Sequence, residues 1–126
     1  MNICSISEDT KIEKRISITP DIAKKYIGLG LKVSLPKNYA SHLGFNDKEF
    51  KDFGVDILND ENELIKRSEI LIQVGLLSDE KLSMIKENQT IIGAFNPYSN
   101  KDIIQNLSKR KINIFSLELL PRITRA

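Results

Sequence analysis

Apolar residues fall into short runs separated by segments of helical period. Residues 2–6, 32–35, 56–58, 69–74, 90–94 and 112–117 are rich in Ile, Leu and Val, as strands covered on both faces should be. Between them lie segments with explicit helix starts. Thr19-Pro20-Asp21 offers a cap, a proline suited to the first helical position and an early acid matched to the helix dipole. Ile22, Ala23, Tyr26 and Ile27 then share one face, and Gly28 and Gly30 can end the helix. Asn46-Asp47-Lys48-Glu49 reads as a capping-box variant, with Phe50 and Phe53 as the buried stripe and Gly54 as the stop. Ser78-Asp79-Glu80 and Asn100-Lys101-Asp102 open two further helices, the second burying Ile103, Ile104 and Leu107. This alternation predicts an α/β fold: a mainly parallel sheet with right-handed crossovers and helices on both faces.

Length and composition narrow the picture without redirecting it. The 126 residues suit one domain with a core that needs no staples. A net charge of +2, with no basic cluster interleaved with aromatics, points away from nucleic acid. Cys4 is the single cysteine, so no internal disulfide is expected, and its place among Ile3, Ser5 and Ile6 suggests a buried strand position. The longest apolar stretch, residues 70–77, is interrupted by Gln73 and falls far short of the ~20 residues of a spanning helix. The start lacks the basic and apolar regions of a signal peptide, so a soluble piece is expected.

Candidate chemistry concentrates past the last predicted strand, in Pro121-Arg122-Ile123-Thr124-Arg125. Two guanidiniums three apart lie where open α/β sheets bind ligands, and each can fork onto a phosphate or carboxamide oxygen or stack on a planar ring. Arg15, on the loop after the first strand, is the second candidate. A loop-pinning ion pair with Glu8, Asp9 or Glu13 is its favoured role. Glu8 and Asp9 resemble the acid pair of a response-regulator receiver, but Asp56 begins its strand instead of ending it, which discards that reading. His42 has no neighbouring Cys or acidic ligands, and no metal site is expected. No catalytic set can be named. Gly28-Leu29-Gly30 follows a helix and lacks a third glycine, so it is not a dinucleotide fingerprint.

The ending LELLPRITRA resembles the PRI[ST]RAQ segment of the α subunit of proton-translocating NAD(P) transhydrogenases, relatives of alanine dehydrogenase. The opening Glu13-Lys14-Arg15-Ile16-Ser17-Ile18-Thr19-Pro20-Asp21, with Ala23-Lys24-Lys25 and Leu29-Gly30-Leu31-Lys32-Val33, is similar to the family's E-x-R-V-A-I-T-P-E opening and its continuation. Gly44-Phe45-Asn46-Asp47 and Phe53-Gly54-Val55-Asp56-Ile57 fit a looser middle pattern. Two departures stand out. Residues 36–41 replace a glycine-rich turn, and Gln73 stands where many members carry a lysine that helps alanine dehydrogenases hold substrate.

The resemblance implies a flavodoxin-like or Rossmann-like fold, with residues 1–126 forming a single incomplete domain, truncated before a separate NAD-binding Rossmann domain. It implies NAD(H) as cofactor, touched here by Arg122, Ile123, Thr124 and Arg125, and more weakly a substrate contact through Arg15. NADP(H) would sit on a partner domain. Implied partners are the rest of the α subunit, a membrane and NADP-binding subunit, and a second copy in a full-length homodimer. The implied location is cytoplasmic, peripheral to the inner membrane through the complex, with no direct membrane insertion. The chain alone is expected to be inactive. Two alternatives stay open: an alanine-dehydrogenase-like oxidoreductase fragment, which Gln73 argues against, and a non-catalytic α/β interaction module.

Overall fold

A computed structural model describes residues 1–8, 11, 14–96 and 99–116. The strands are β1 (Asn2–Cys4), β2 (Lys32–Pro36), β3 (Asp56–Leu58), β4 (Ile70–Ile72), β5 (Thr90–Gly93) and β6 (Asn113–Ser116). The helices are α1 (Pro20–Gly28), α2 (Asp47–Asp52), α3 (Glu61–Arg67), α4 (Asp79–Leu82) and α5 (Lys101–Lys109), with a 3-10 turn at Ser41–Leu43. All pairings are parallel, in the order β3-β2-β1-β4-β5-β6. Of the two doubly wound layouts expected, this is the Rossmann order, and it reverses between β1 and β4.

The register sorts the strands into two faces. Cys4, Leu71, Ile91 and Ile114 lie in one row, and Ile3 and Ile70 in another. The first row packs with Leu64 and Ile65 of α3, Leu82 of α4 and Leu107 of α5. On the other face, Ile3, Val33 and Leu35 pack with Ala23 of α1 and Phe50 of α2. Tyr39 and Phe50 meet edge to face there, with ring centroids 6.2 Å apart. Among the described residues no helix is long and apolar enough to cross a membrane.

The local start signals act through the bonds expected of them. Thr19 Oγ1 accepts from Ile22 N at 3.3 Å, with Pro20 in the first helical position. Asn46 Oδ1 accepts from Glu49 N at 3.0 Å, and Gly54 follows α2 with φ +97°, a conformation costly for other residues. Asn100 differs. Its side chain makes no capping bond; Nδ2 turns back to donate to the carbonyls of Phe95 (2.8 Å) and Asn96 (3.2 Å), bracing the turn after β5. Helix α3 has no counterpart in the sequence expectation. It is capped by Asp60, whose Oδ1 accepts from Asn62 N at 2.9 Å, and it buries only the adjacent Leu64 and Ile65. Two neighbours do not make a 3.6-residue stripe, so periodicity could not reveal it.

Strands β1 and β4 are also shorter than expected. β1 stops at Cys4, before Ile6, because both backbone groups of Ile6 bond to a side chain, that of Gln73, and not to a neighbouring strand.

Candidate functional site

The reversal between β1 and β4 sends the following loops to opposite sides, which opens a crevice at the carboxyl ends of the strands. Gln73, the first residue after β4, lies in its floor and is only 2% exposed. Its Oε1 accepts from Ile6 N (2.7 Å) and Ser5 Oγ (2.9 Å), and its Nε2 donates to Ile6 O (3.2 Å) and Glu8 Oε1 (3.3 Å). That uses both acceptor and both donor positions of the amide. Glu8 Oε1 also accepts from the amides of Val74 (2.6 Å) and Gly75 (3.2 Å), stitching the β1–α1 loop to the β4–α4 loop.

The network continues behind Ser5. Ser5 Oγ lies 2.9 Å from Tyr39 Oη; since the serine proton goes to Gln73, the tyrosine donates. Tyr39 Oη in turn accepts from the amides of Ser17 (3.1 Å) and Ile18 (3.3 Å). Burial raises the Tyr39 pKa above its ordinary value, because the phenolate would lose its water. Gln73 and Tyr39 thus hold the two ends of the same loop.

That loop faces a cleft of about 320 Å³ lined by Arg15, Ile16, Ser17, Ile72, Gln73, Val74, Ile92, Gly93 and Ala94. Its floor is apolar sheet, through Ile72 and Ile92, which are paired in register. Arg15 is exposed on the rim, and the buried Oγ of Ser17 has no hydrogen-bond partner among the described residues. Gly93 is required where it stands. A Cβ there would lie 2.2 Å from the Gln73 carbonyl oxygen and 2.6 Å from the Phe95 ring.

The sequence candidates separate. Arg15 reaches the cleft, whereas Arg122, Ile123, Thr124 and Arg125 lie outside the described residues. Glu8 ties down the β4 end; Asp9 and Glu13 are likewise outside the described residues. His42 Nε2–H donates to the Lys14 carbonyl at 2.8 Å, a brace for the same loop. Cys4 is fully buried, and burial pushes its thiol up to about 11. No group of three or more potential metal-ligating side chains occurs among the described residues. Sequence reasoning notices Gln73 only as a missing lysine and overlooks Tyr39, Ser17 and Gly93. Polar residues inside apolar or loop segments are the available signal for the first three.

Residues 6–126 match the family model described as "Alanine dehydrogenase/PNT, N-terminal domain". The chain belongs to this family. It is 31% identical to the first of the separately encoded pieces of the NAD(P) transhydrogenase alpha subunit of Rickettsia prowazekii, over 100% of this chain and 34% of that protein. Among solved structures, the transhydrogenase from Sinorhizobium meliloti superposes with a TM-score of 0.90 at 22% identity, over 98% of this chain and 37% of that one. An L-alanine dehydrogenase superposes with a TM-score of 0.85 at 15% identity, over 92% and 32% of the two chains. This alanine dehydrogenase/PNT N-terminal domain therefore spans about a third of the relative it matches in sequence. At these identities the structural likenesses establish the fold alone.

Proposed function

We propose that the chain is the amino-terminal portion of the NAD(H)-handling component of a proton-translocating transhydrogenase, and that its cleft forms one wall of the nicotinamide site. The observation that carries this reading is the cleft's composition. Apolar Ile72 and Ile92 offer a flat surface, while Arg15 and the unpartnered Ser17 hydroxyl stand at its edge. A planar aromatic ring bearing a carboxamide matches that set: the ring covers the sheet, and the carboxamide supplies the partner that Ser17 lacks. The transhydrogenase name of the Rickettsia relative supports the same assignment.

When bound, the nicotinamide supplies hydride chemistry, and this chain contributes position and electrostatics. Ile72 and Ile92 exclude water from one ring face. Arg15 places a fixed positive charge at the rim, and Arg122 and Arg125 are assigned to the side reached from β6. Adenosine and pyrophosphate contacts belong to a separate Rossmann domain, and NADP(H) to a partner domain. The remainder of the α subunit, a membrane subunit and a second copy complete the complex, peripheral to the inner membrane. The chain alone is expected to transfer no hydride.

The deciding experiment uses the natively assembled protein. Arg122→Ala should lower hydride transfer or NADH affinity about ten- to a hundredfold, the value of one lost charge-assisted hydrogen bond. Arg122→Lys should rescue it incompletely, since a point charge cannot reproduce a planar fork. Unchanged kinetics for Arg122→Ala would place the site in another loop.

The alanine-dehydrogenase-like reading is disfavoured by one observation. All four hydrogen-bonding positions of Gln73 are taken by the protein itself, leaving that side chain nothing to offer a substrate.

A further inference from the structure

We propose that Gln73 is a positioning residue: its uncharged amide sets where the β1–α1 loop presents Arg15 and Ser17 to the cleft. The inference rests on the cofactor reading of the cleft for its kinetic test, but not for its geometry.

Gln73 does with a side chain what a longer β1–β4 pairing would do with backbone. It bonds both the N–H and the carbonyl of Ile6, and this lets the loop leave the sheet early without orphaning either group. From the same amide, two branches run into the loop. Through Glu8, one reaches the amides of Val74 and Gly75 at the β4 end. Through Ser5 and Tyr39, the other reaches the amides of Ser17 and Ile18 at the far end. Ser17 and Arg15 line the cleft from this second end.

Position 73 therefore needs two acceptor and two donor positions without a charge. A lysine there can donate to Ile6 and Glu8, but it accepts nothing from Ile6 N or Ser5 Oγ. A leucine of similar size does neither. An ionised carboxylate accepts from both but donates to nothing, and it would stand about one hydrogen-bond length from Glu8. Two carboxylates that close do not both ionise readily, so the pair keeps a proton to higher pH. Protonated, the substituted side chain recovers one donor and resembles the amide. Among the described residues, the charged and titratable groups arranged around this position are Glu8 and Arg15 on the same loop and Tyr39 behind Ser5.

Gln73→Glu in the natively assembled protein tests the proposal. We expect its KM for NADH to approach that of the unmodified protein at pH 5 and to exceed it about tenfold at pH 9, with kcat less affected. Gln73→Leu should raise KM at every pH, with a ratio to the unmodified protein that does not vary. Hydrogen exchange at the Val74 and Gly75 amides, read without ligand, should accelerate in Gln73→Glu as pH rises beyond the intrinsic pH dependence of exchange. A KM ratio for Gln73→Glu that stays flat across this range overturns the positioning role, since a merely structural defect has no reason to titrate. If the unmodified protein neither binds NADH nor transfers hydride, the cofactor reading falls instead. Exchange then decides the clamp by itself: faster exchange in both variants sustains it, and unchanged exchange overturns it.

Discussion

The two halves of the sheet are built to different standards of burial. Strands β1–β3 lie between α1 and α2 on one face and α3 on the other, and Val33, Leu35 and Phe50 are at most 1% exposed. Strands β4–β6 have α4 and α5 on one face only. On the opposite face Ile72, Ile92 and Phe115 form one register row; the first two are half-buried and Phe115 is 52% exposed. The cleft opens on this second region, against Ile72 and Ile92. Stability and accessibility are thus divided between the halves: the first supplies a closed core, and the second keeps apolar sheet available to a ligand.

The largest expected effect tests the closed half. Phe50→Ala should destabilise the chain by about 3–5 kcal/mol, through lost transfer energy and the cavity left under Tyr39. Phe115→Ala should cost less than about 1 kcal/mol, because a ring already half in water loses little. Urea unfolding of both variants measures the contrast, and equal losses would show that the open face is not open.

At the boundary between the halves, Gly93→Ala should cost about 1–3 kcal/mol and narrow the cleft, since the new methyl meets the Gln73 carbonyl and the Phe95 ring. A crystal structure of the variant with an unmoved Phe95 would contradict this. Tyr39→Phe leaves the amides of Ser17 and Ile18 without their acceptor. A loss of about 1–3 kcal/mol is expected, with faster proteolysis in the β1–α1 loop. Protection of that loop equal to the unmodified protein would mean that Tyr39 does not hold it.

The smallest effect is alkaline. Cys4, raised from 9.0 to about 11, holds its proton longer folded than unfolded. Its contribution is therefore complete below pH 9 and is lost as pH rises from 9 through 11. Melting temperature should decline over that window, and Cys4→Ala should decline less steeply. A thiol reagent at pH 8 should label the folded chain far more slowly than the urea-unfolded one; equal rates would show that the thiol is accessible.

How far the site is legible in the sequence differs from residue to residue. Thr19 and Asn46 announce their helices because a cap is a local device, satisfied within three residues. Arg15 is visible as a loop guanidinium, and the cleft it faces needs only the rule that ligands bind past the carboxyl ends of parallel strands. Gln73 stands out as a departure from its family, but its work is invisible there. Its partners are 65 to 68 residues away in sequence, and no periodicity carries that information.

By itself, the sequence determined the family, the alternation of strands and helices, and the caps and glycine stops that bound them. Those are properties of neighbouring residues and of apolar spacing. Only the tertiary structure decided the strand order with its reversal between β1 and β4, the buried amide that replaces backbone pairing at Ile6, and the half of the sheet left uncovered. Each of these depends on which distant segments meet, because a buried polar group takes the partner that the packed chain puts within reach.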